Sequence, residues 1–284
     1  MHQLAQEICR RLETCYPHRE AQALTRILCC EVLGQRDVDF YLGKDTNLSE
    51  NDRRKVEDII RRLLHFEPIQ YIQGEAPFMG WRLKVTPDVL IPRPETAELV
   101  ELIASQWAST PHPLRLLDIG TGSGCIAVTL AHLLPQAEVE AWDLSPSALA
   151  VARENATRVG CRVSFSQQDV LTFQVPSHQH HRYDLIVSNP PYICEYEAAQ
   201  MERNVLDWEP RMALFVPDSD PLRFYLHIAT LGHQLLRPQG MLYFEINRAY
   251  GAEVVQLLQD QGYRQVELLN DLQGNPRMVY GRKD

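Results

Sequence analysis

Apolar residues recur at intervals of three and four through the first quarter of the chain, then give way to short unbroken runs. Leu4, Ile8, Leu12 and Cys15 make one stripe, Leu24, Ile27, Leu28 and Val32 a second, and Val56, Ile59, Ile60, Leu63 and Leu64 a third. That spacing stacks side chains on one face of an α-helix. Residues 1–75 therefore read as a small helical bundle, punctuated by Gly34, Gly43 and Gly74, with Thr46 or Ser49 capping the third helix. Such a module suits partner docking better than catalysis. From Ile69 to Ile91 the pattern turns to short extended pieces. Phe78 to Val85 reads as strand around a glycine turn, and Thr86 to Ile91 follows it, so residues 76–92 are expected to form a hairpin linker.

Residues 93–284 alternate between the two patterns. Runs at 114–119, 138–144, 161–166, 183–188 and 241–246 read as strands, and the apolar Leu185-Ile186-Val187 suits one buried on both faces of a parallel sheet. Helical spacing occupies 125–134, 147–159, 222–236 and 251–261 between them, and prolines with Glu95 and Glu98 open another helix that runs to about Ser109. Residues 195–206 read as a helix or an ordered flap over a pocket. The last two runs, 264–269 and 277–281, are too close for a crossover helix and must pair antiparallel. The expected fold class is α/β: a Rossmann-like, mostly parallel sheet with one antiparallel strand near its C-terminus, preceded by the helical bundle.

Composition narrows the setting. The 284 residues are 45% hydrophobic, with no apolar run long enough to span a bilayer, and the charged stretch Met1 to Arg11 lacks the apolar segment of a signal peptide. A cytoplasmic protein is expected. The seven cysteines form no C-x-x-C pair, which argues for reduced thiols and against a zinc site. His178, His180 and His181 lie in a polar stretch, where a metal site is weighed against a solvated loop. A net charge of −9 speaks against duplex nucleic acid as substrate. The basic cluster Arg53, Arg54, Lys55, Arg61 and Arg62 is interleaved with Glu57 and Asp58, as on a solvated helix face.

Candidate chemistry begins where the 114–119 strand ends in Asp118 and enters Gly120-Thr121-Gly122-Ser123-Gly124 ahead of a helix. Alternate glycines let the backbone turn tightly and approach a ligand without a Cβ in the way. A dinucleotide fingerprint would place a third glycine where Cys125 stands, so a ligand without phosphates fits better. The next strand ends in Asp143, placed to accept both hydroxyls of a ribose, or alternatively to cap the following helix before Pro146. Asp169 and Val170, beyond the third strand, would border the same cleft, one taking an adenine amine and the other its face.

Tyr183 to Tyr192 carries the reacting group. Its strand stops at Asn189-Pro190-Pro191. Neither proline has an N–H for a sheet ladder, and both hold their predecessors extended, so nearby carbonyls are left for a ligand. The Asn189 side-chain oxygen, the Pro190 carbonyl and the flat ring of Tyr192 suit a planar group bearing an NH2, either a carboxamide or the exocyclic amine of a base. The alternative is a proline-rich exit turn with Asn189 capping its own loop.

In combination these motifs resemble class I S-adenosylmethionine-dependent methyltransferases. The helical N-terminus, Ile91-Pro-Arg-Pro-Glu-Thr96, Val187-Ser-Asn-Pro-Pro-Tyr-Ile193, Phe244-Glu-Ile246 and Asp271-Leu-Gln-Gly-Asn-Pro-Arg277 resemble the HemK/PrmC family along essentially the whole chain. That family methylates the glutamine amide of the Gly-Gly-Gln motif in class-1 peptide-chain release factors. The resemblance implies S-adenosyl-L-methionine bound by Gly120, Thr121, Gly122, Ser123, Gly124, Asp143, Asp169, Val170 and Asn189, with S-adenosyl-L-homocysteine as product. It implies substrate held by Asn189, Pro190, Pro191 and Tyr192, catalysis by Asn189, Pro190 and Tyr192, no metal, no membrane and no direct nucleic-acid substrate. A sister family acting on a ribosomal-protein glutamine and the DNA amino methyltransferases that share Asn-Pro-Pro-Tyr remain alternatives, as does a binding protein without turnover. Ala97, the 216–220 turn and Asn247 depart from the family pattern, and whether Arg93 or Glu95 touches substrate stays open.

Overall fold

The computed structural model describes residues 3–43, 48–110 and 112–284. The chain divides into two compact units: residues up to Gln73 with Arg203–Trp208, and Gly74–Glu202 with Glu209–Asp284. The first contains helices α1 (Gln3–Leu12), α2 (His18–Arg26), α3 (Asp37–Tyr41), α4 (Glu50–Leu63) and α5 (Ile69–Gln73). The three apolar stripes meet in one core that includes Ile8, Leu12, Leu28, Ile60 and Leu63. Cys15 is exposed instead, and α2 runs on into a π-helical turn over Ile27–Val32. Ser49 caps α4 by accepting the Asp52 N–H at 3.1 Å, and Thr46 lies outside the described residues. The basic cluster is charge-paired, with Arg61 on Asp58 and Arg62 on Glu67.

The second unit opens with strands β1 (Glu75–Phe78) and β2 (Trp81–Lys84) in an antiparallel hairpin. The turn is Met79-Gly80, with φ of 45° and 83°. Residues 86–91 form no strand, and Ile69–Gln73 is helical, so the hairpin lies several residues earlier than the extended pattern suggested. Phe78 and Leu83 are buried in the sheet's core, which makes the hairpin part of this unit's packing.

The following elements alternate: α6 (Pro94–Trp107), β3 (Arg115–Ile119), α7 (Cys125–Leu133), β4 (Glu138–Asp143), α8 (Pro146–Val159), β5 (Val163–Gln167) and β6 (Tyr183–Ser188). After β7 (Ile193–Cys194) come α9 (Arg203–Leu206), α10 (Arg211–Leu214), β8 (Phe215–Val216), α11 (Arg223–Leu235), β9 (Leu236–Glu245), α12 (Gly251–Asp260), β10 (Arg264–Asn270) and β11 (Pro276–Arg282). The main sheet has the order β10-β11-β9-β6-β3-β4-β5. Its pairs are parallel from β9 through β5, and β11 is antiparallel to both its neighbours, so a single strand is reversed. Alternate residues of β3 show why both faces are apolar: Leu116 packs with α6 and α7, while Leu117 and Ile119 pack with α11.

Residues 195–206 form a 3-10 turn over Glu195–Gln200 and the short α9, which belongs to the helical unit; none of them lines the cleft described below. Asn247 has φ −64°, and no residue from 216 to 220 has a positive φ, so neither departure occupies a position that requires glycine.

Gly124 does require one. It has φ 81°, and a Cβ there would lie 3.0 Å from Ala152 Cβ, whereas Gly120 has φ 76° with open space around it. Gly120→Ala should therefore cost only the left-handed backbone term of about 1–2 kcal/mol, and Gly124→Ala about 1–3 kcal/mol more from overpacking against α8. Urea denaturation of the two variants checks this, and equal losses would contradict it.

Candidate active site

Strand register brings the chemistry to one level. Ile119 lies opposite Trp142 on one side and Ser188 on the other, and Ser188 lies opposite Phe244. The next residue in each strand is Gly120, Asp143, Asn189 and Glu245. β3 and β6 end at this level, while Asp143 still pairs with Gln167 and Glu245 with Met278, and ligands of open α/β sheets bind beyond this edge.

A cleft at that edge is lined by Gly120, Thr121, Gly122, Ser123, Asp143, Asp169, Val170, Asn189, Pro190 and Pro191. Of the residues expected to bind ligand, Gly124 and Tyr192 are not among its walls. Gly124 instead starts α7 in left-handed conformation, its carbonyl accepting the Val128 N–H at 2.8 Å. Trp142, Leu144, Leu171, Phe224 and Ile228 add apolar wall, and Thr96 and Arg93 add polar wall. No motif marks the apolar members in the sequence.

The glycine turn is held by its neighbours. The N–H groups of Gly120 and Thr121 both donate to the Trp142 carbonyl, at 2.9 and 3.0 Å. Asp143 accepts the Gly122 N–H on Oδ2 and the Ser145 N–H on Oδ1, each at 2.8 Å. Each oxygen keeps a further lone pair for a ligand hydroxyl. The capping alternative for Asp143 is taken by Ser145, whose hydroxyl accepts the Ala148 N–H at the start of α8. Burial raises the Asp143 carboxyl, against the lowering effect of those N–H groups. Asp169 accepts the Leu171 N–H on Oδ1 at 2.9 Å and so shapes its own loop as well as facing the cleft.

At Asn189 the side-chain Nδ2 donates to Thr96 Oγ1 at 3.4 Å, and the Thr96 hydroxyl donates to Glu245 Oε2 at 2.6 Å. Tyr192 donates its hydroxyl to Glu245 Oε1 at 3.4 Å. Among the described residues, neither Asn189 Oδ1 nor the Pro190 carbonyl accepts a hydrogen bond. Both acceptors of the strand exit are therefore available to a ligand. Asn247 braces this turn from below, donating Nδ2 to the Tyr192 carbonyl at 3.1 Å and to Glu197. Glu245 is 1% exposed, and burial raises its carboxyl above the ordinary range. Thr96 and Glu245 lie 149 residues apart in sequence, so only the folded chain pairs them.

Arg93 is ion-paired at 2.5 Å with Glu209, whose second oxygen accepts the Ile91 N–H. That pairing fixes the residues before α6 at the cleft wall. In the helical unit, the described residues bring potential metal ligands together at Cys9, Glu13 and His18, within 4.8 Å, where Glu13 already bonds His18.

The sheet order, its single reversed strand and a glycine turn at the carboxyl edge define a class I methyltransferase fold. A solved methyltransferase from Pyrococcus furiosus shares that fold, with a TM-score of 0.52 and 16% identity over 80% of this chain and 98% of its own. Residues 3–74 match the family described as PrmC N-terminal domain, and residues 96–206 match the Methyltransferase small domain. The chain is 51% identical to the release factor glutamine methyltransferase of Bacteroides thetaiotaomicron, covering 98% of this chain and 99% of that one. To the same-named protein of Flavobacterium psychrophilum it is 38% identical, covering 96% and 95%. The chain belongs to the release factor glutamine methyltransferase family.

One buried carboxyl lies behind the glycine turn. Asp118 is fully buried at the end of β3, and burial lifts its carboxyl to about 7, with the Thr121 hydroxyl and Ala127 N–H pulling the other way. Among the described residues its Oδ1 has no hydrogen-bond partner. The folded state keeps this proton to about pH 7, while the unfolded chain loses it near roughly pH 4, so stability from this group falls as pH rises through that window. Asp118→Asn removes the effect. Its urea stability relative to the parent should rise by up to ~4 kcal/mol between about pH 4 and pH 7. A parent-to-variant difference that stays flat over that range would contradict a protonated Asp118.

Proposed function

We propose that this protein transfers the methyl group of S-adenosyl-L-methionine to the side-chain amide nitrogen, N5, of the glutamine in the Gly-Gly-Gln motif of class-1 peptide-chain release factors, leaving S-adenosyl-L-homocysteine. The observation that carries the reading is the pair of uncommitted acceptors, Asn189 Oδ1 and the Pro190 carbonyl, beside a cleft built on Gly120 to Ser123 and Asp143. When bound, the donor supplies a sulfonium methyl as electrophile. Asp143 would take its ribose hydroxyls, Asp169 the adenine amine and Val170 the adenine face.

An amide nitrogen is a poor nucleophile because conjugation occupies its lone pair. Asn189 and Pro190 would each accept one N–H of the glutamine amide, orient it toward the methyl, and stabilise the positive charge that grows on nitrogen during transfer. Pro191 keeps the preceding carbonyl in extended geometry. Tyr192, tied to Glu245 by its hydroxyl, would limit rotation of the amide plane. Positioning of this kind can supply up to ~7–11 kcal/mol of a barrier, and no dedicated base is needed if the proton leaves after transfer. The helical unit serves as the docking element for the release factor, and the reaction is placed in the cytoplasm with its substrate. No helix among the described residues is long and apolar enough to cross a membrane.

Purified protein with labelled S-adenosylmethionine should label a class-1 release factor and leave its Gly-Gly-Glu variant unlabelled. A carboxylate brings no N–H, so both acceptors would stay unpaired, at ~1–3 kcal/mol each. Label on a ribosomal protein or on DNA, with none on the release factor, would overturn the reading. Asn189→Ala should lower turnover by ~10²-fold or more with a smaller loss of donor affinity, measured by calorimetry, since it removes a partner needed chiefly in the transition state. Unchanged turnover would place the chemistry elsewhere.

A further inference from the structure

Resting on that reading, we propose that Thr96 and Glu245 form a positioning relay that fixes which end of the Asn189 amide faces the substrate. The two ends of a carboxamide have nearly the same shape and differ in that one donates and the other accepts. Packing alone selects poorly between them. The choice falls instead to the partner, and here the partner is a hydroxyl whose single proton is already committed.

Glu245 comes from the end of β9 and Thr96 from the first turn of α6. The carboxylate can only accept, so the Thr96 hydroxyl turns its proton to Oε2 at 2.6 Å. Its oxygen then has only lone pairs left for Asn189. Nδ2 can meet a lone pair, as it does at 3.4 Å, whereas Oδ1 in that place would face an acceptor with no proton between. The NH2 therefore turns inward and Oδ1 turns to the cleft. The same carboxylate takes the Tyr192 hydroxyl on its other oxygen, so one buried charge holds both ends of Asn-Pro-Pro-Tyr.

Against its burial, the Thr96 and Tyr192 hydroxyls and the Arg277 guanidinium favour the charged form of Glu245. Glu245 is 1% exposed and does not line the cleft, and burying a carboxylate at the end of a core strand is costly where an apolar side chain would pack without penalty. A charge that dictates the sense of two successive hydrogen bonds has a use there. The relay makes the enzyme selective for a substrate that brings hydrogens: with the amide reversed, Asn189 would present NH2 to the glutamine NH2, donor against donor. Thr96 and Glu245 are positioning residues that act through Asn189.

The test is a set of variants of the full chain, assayed with release factor and S-adenosylmethionine. Thr96→Val keeps the shape and removes the hydroxyl, and it should lower kcat by ~10-fold or more with the KM for release factor within about twofold. Thr96→Ser restores the hydroxyl and should recover most of the rate. In the Asn189→Ala background Thr96→Val should have no further effect, because residues acting through one another are not additive. Glu245→Gln can meet the Thr96 hydroxyl with either end and should lose less rate than Thr96→Val, with no added loss when the two are combined. Independently of turnover, 15N-asparagine labelling reads the Asn189 side-chain NH2, identified by its absence in Asn189→Ala. That signal should shift in Thr96→Val and return in Thr96→Ser. Thr96→Val at the parental kcat, Thr96→Ser as slow as Thr96→Val, a further loss on top of Asn189→Ala, or an unmoved NH2 signal would each overturn the relay. If the parent labels no release factor, the functional reading fails, and the NH2 signal still decides the relay.

Discussion

Everything at this site follows from the central strands β3 and β6 ending one residue short of their neighbours β4 and β9. Ile119, Trp142, Ser188 and Phe244 are in register across β4, β3, β6 and β9. One step further β3 and β6 stop, while Asp143 still pairs with Gln167 of β5 and Glu245 with Met278 of β11. Buried or half-buried backbone groups must then find other partners, and the chain supplies them locally. The glycine turn folds its N–H groups back onto the Trp142 carbonyl and the Asp143 carboxylate. At the end of β6 the prolines have no N–H to satisfy, and the carbonyl of Pro190 is left over. The leftover acceptor is a consequence of where the strand ends and which residues end it.

The electrostatics of the cleft extend the same logic. Asp118, Asp143, Glu209 and Glu245 are all carboxyl groups withdrawn from water around this edge, and burial is the leading cause of the raised position of each. Desolvation disfavours the charged form of each, and the protonated Asp118 and the Arg93-paired Glu209 add little negative field. A sulfonium donor is cationic before transfer and neutral afterwards. An anionic phosphate would compete with the Asp143 carboxyl for the Gly122 N–H, in keeping with a glycine turn that lacks the third glycine of a dinucleotide site.

How much of this was legible in the sequence depended on the distance over which each signal acts. The central strands and their flanking helices were visible because burial on both faces makes unbroken apolar runs, as in Leu185-Ile186-Val187. The glycine turn, Asp143 and Asn189 were visible because strand ends fix what can follow. The first hairpin was misplaced because β1 contains Glu75 and Pro77, which weaken a strand pattern, while its turn places Met79 in a left-handed conformation usually left to glycine. Arg203–Trp208 gave no sign of belonging with the helical unit, since grouping with a segment more than a hundred residues away leaves no local period. Thr96 and Glu245 each stood inside a motif, but nothing in either motif says that the two side chains meet.

Asn247 shows how a departure from a family pattern can be absorbed without touching the chemistry. A glycine there would matter if the backbone needed a positive φ, and φ is −64°. The side chain instead fills a role that glycine cannot, bonding the Tyr192 carbonyl and Glu197 with Nδ2 while Oδ1 accepts the Ala249 N–H. Tyr192, Glu197 and Ala249 thus converge on one residue bonded to the Asn189–Tyr192 turn. Rigidity is useful at that place because the proposed discrimination is geometric: two acceptors must stay aimed at two hydrogens of a neutral amide, and a turn free to rotate could turn one of them away and find a partner for a carboxylate. Bracing the carbonyl of Tyr192 from below, while Glu245 holds its hydroxyl from the side, leaves the turn no such freedom.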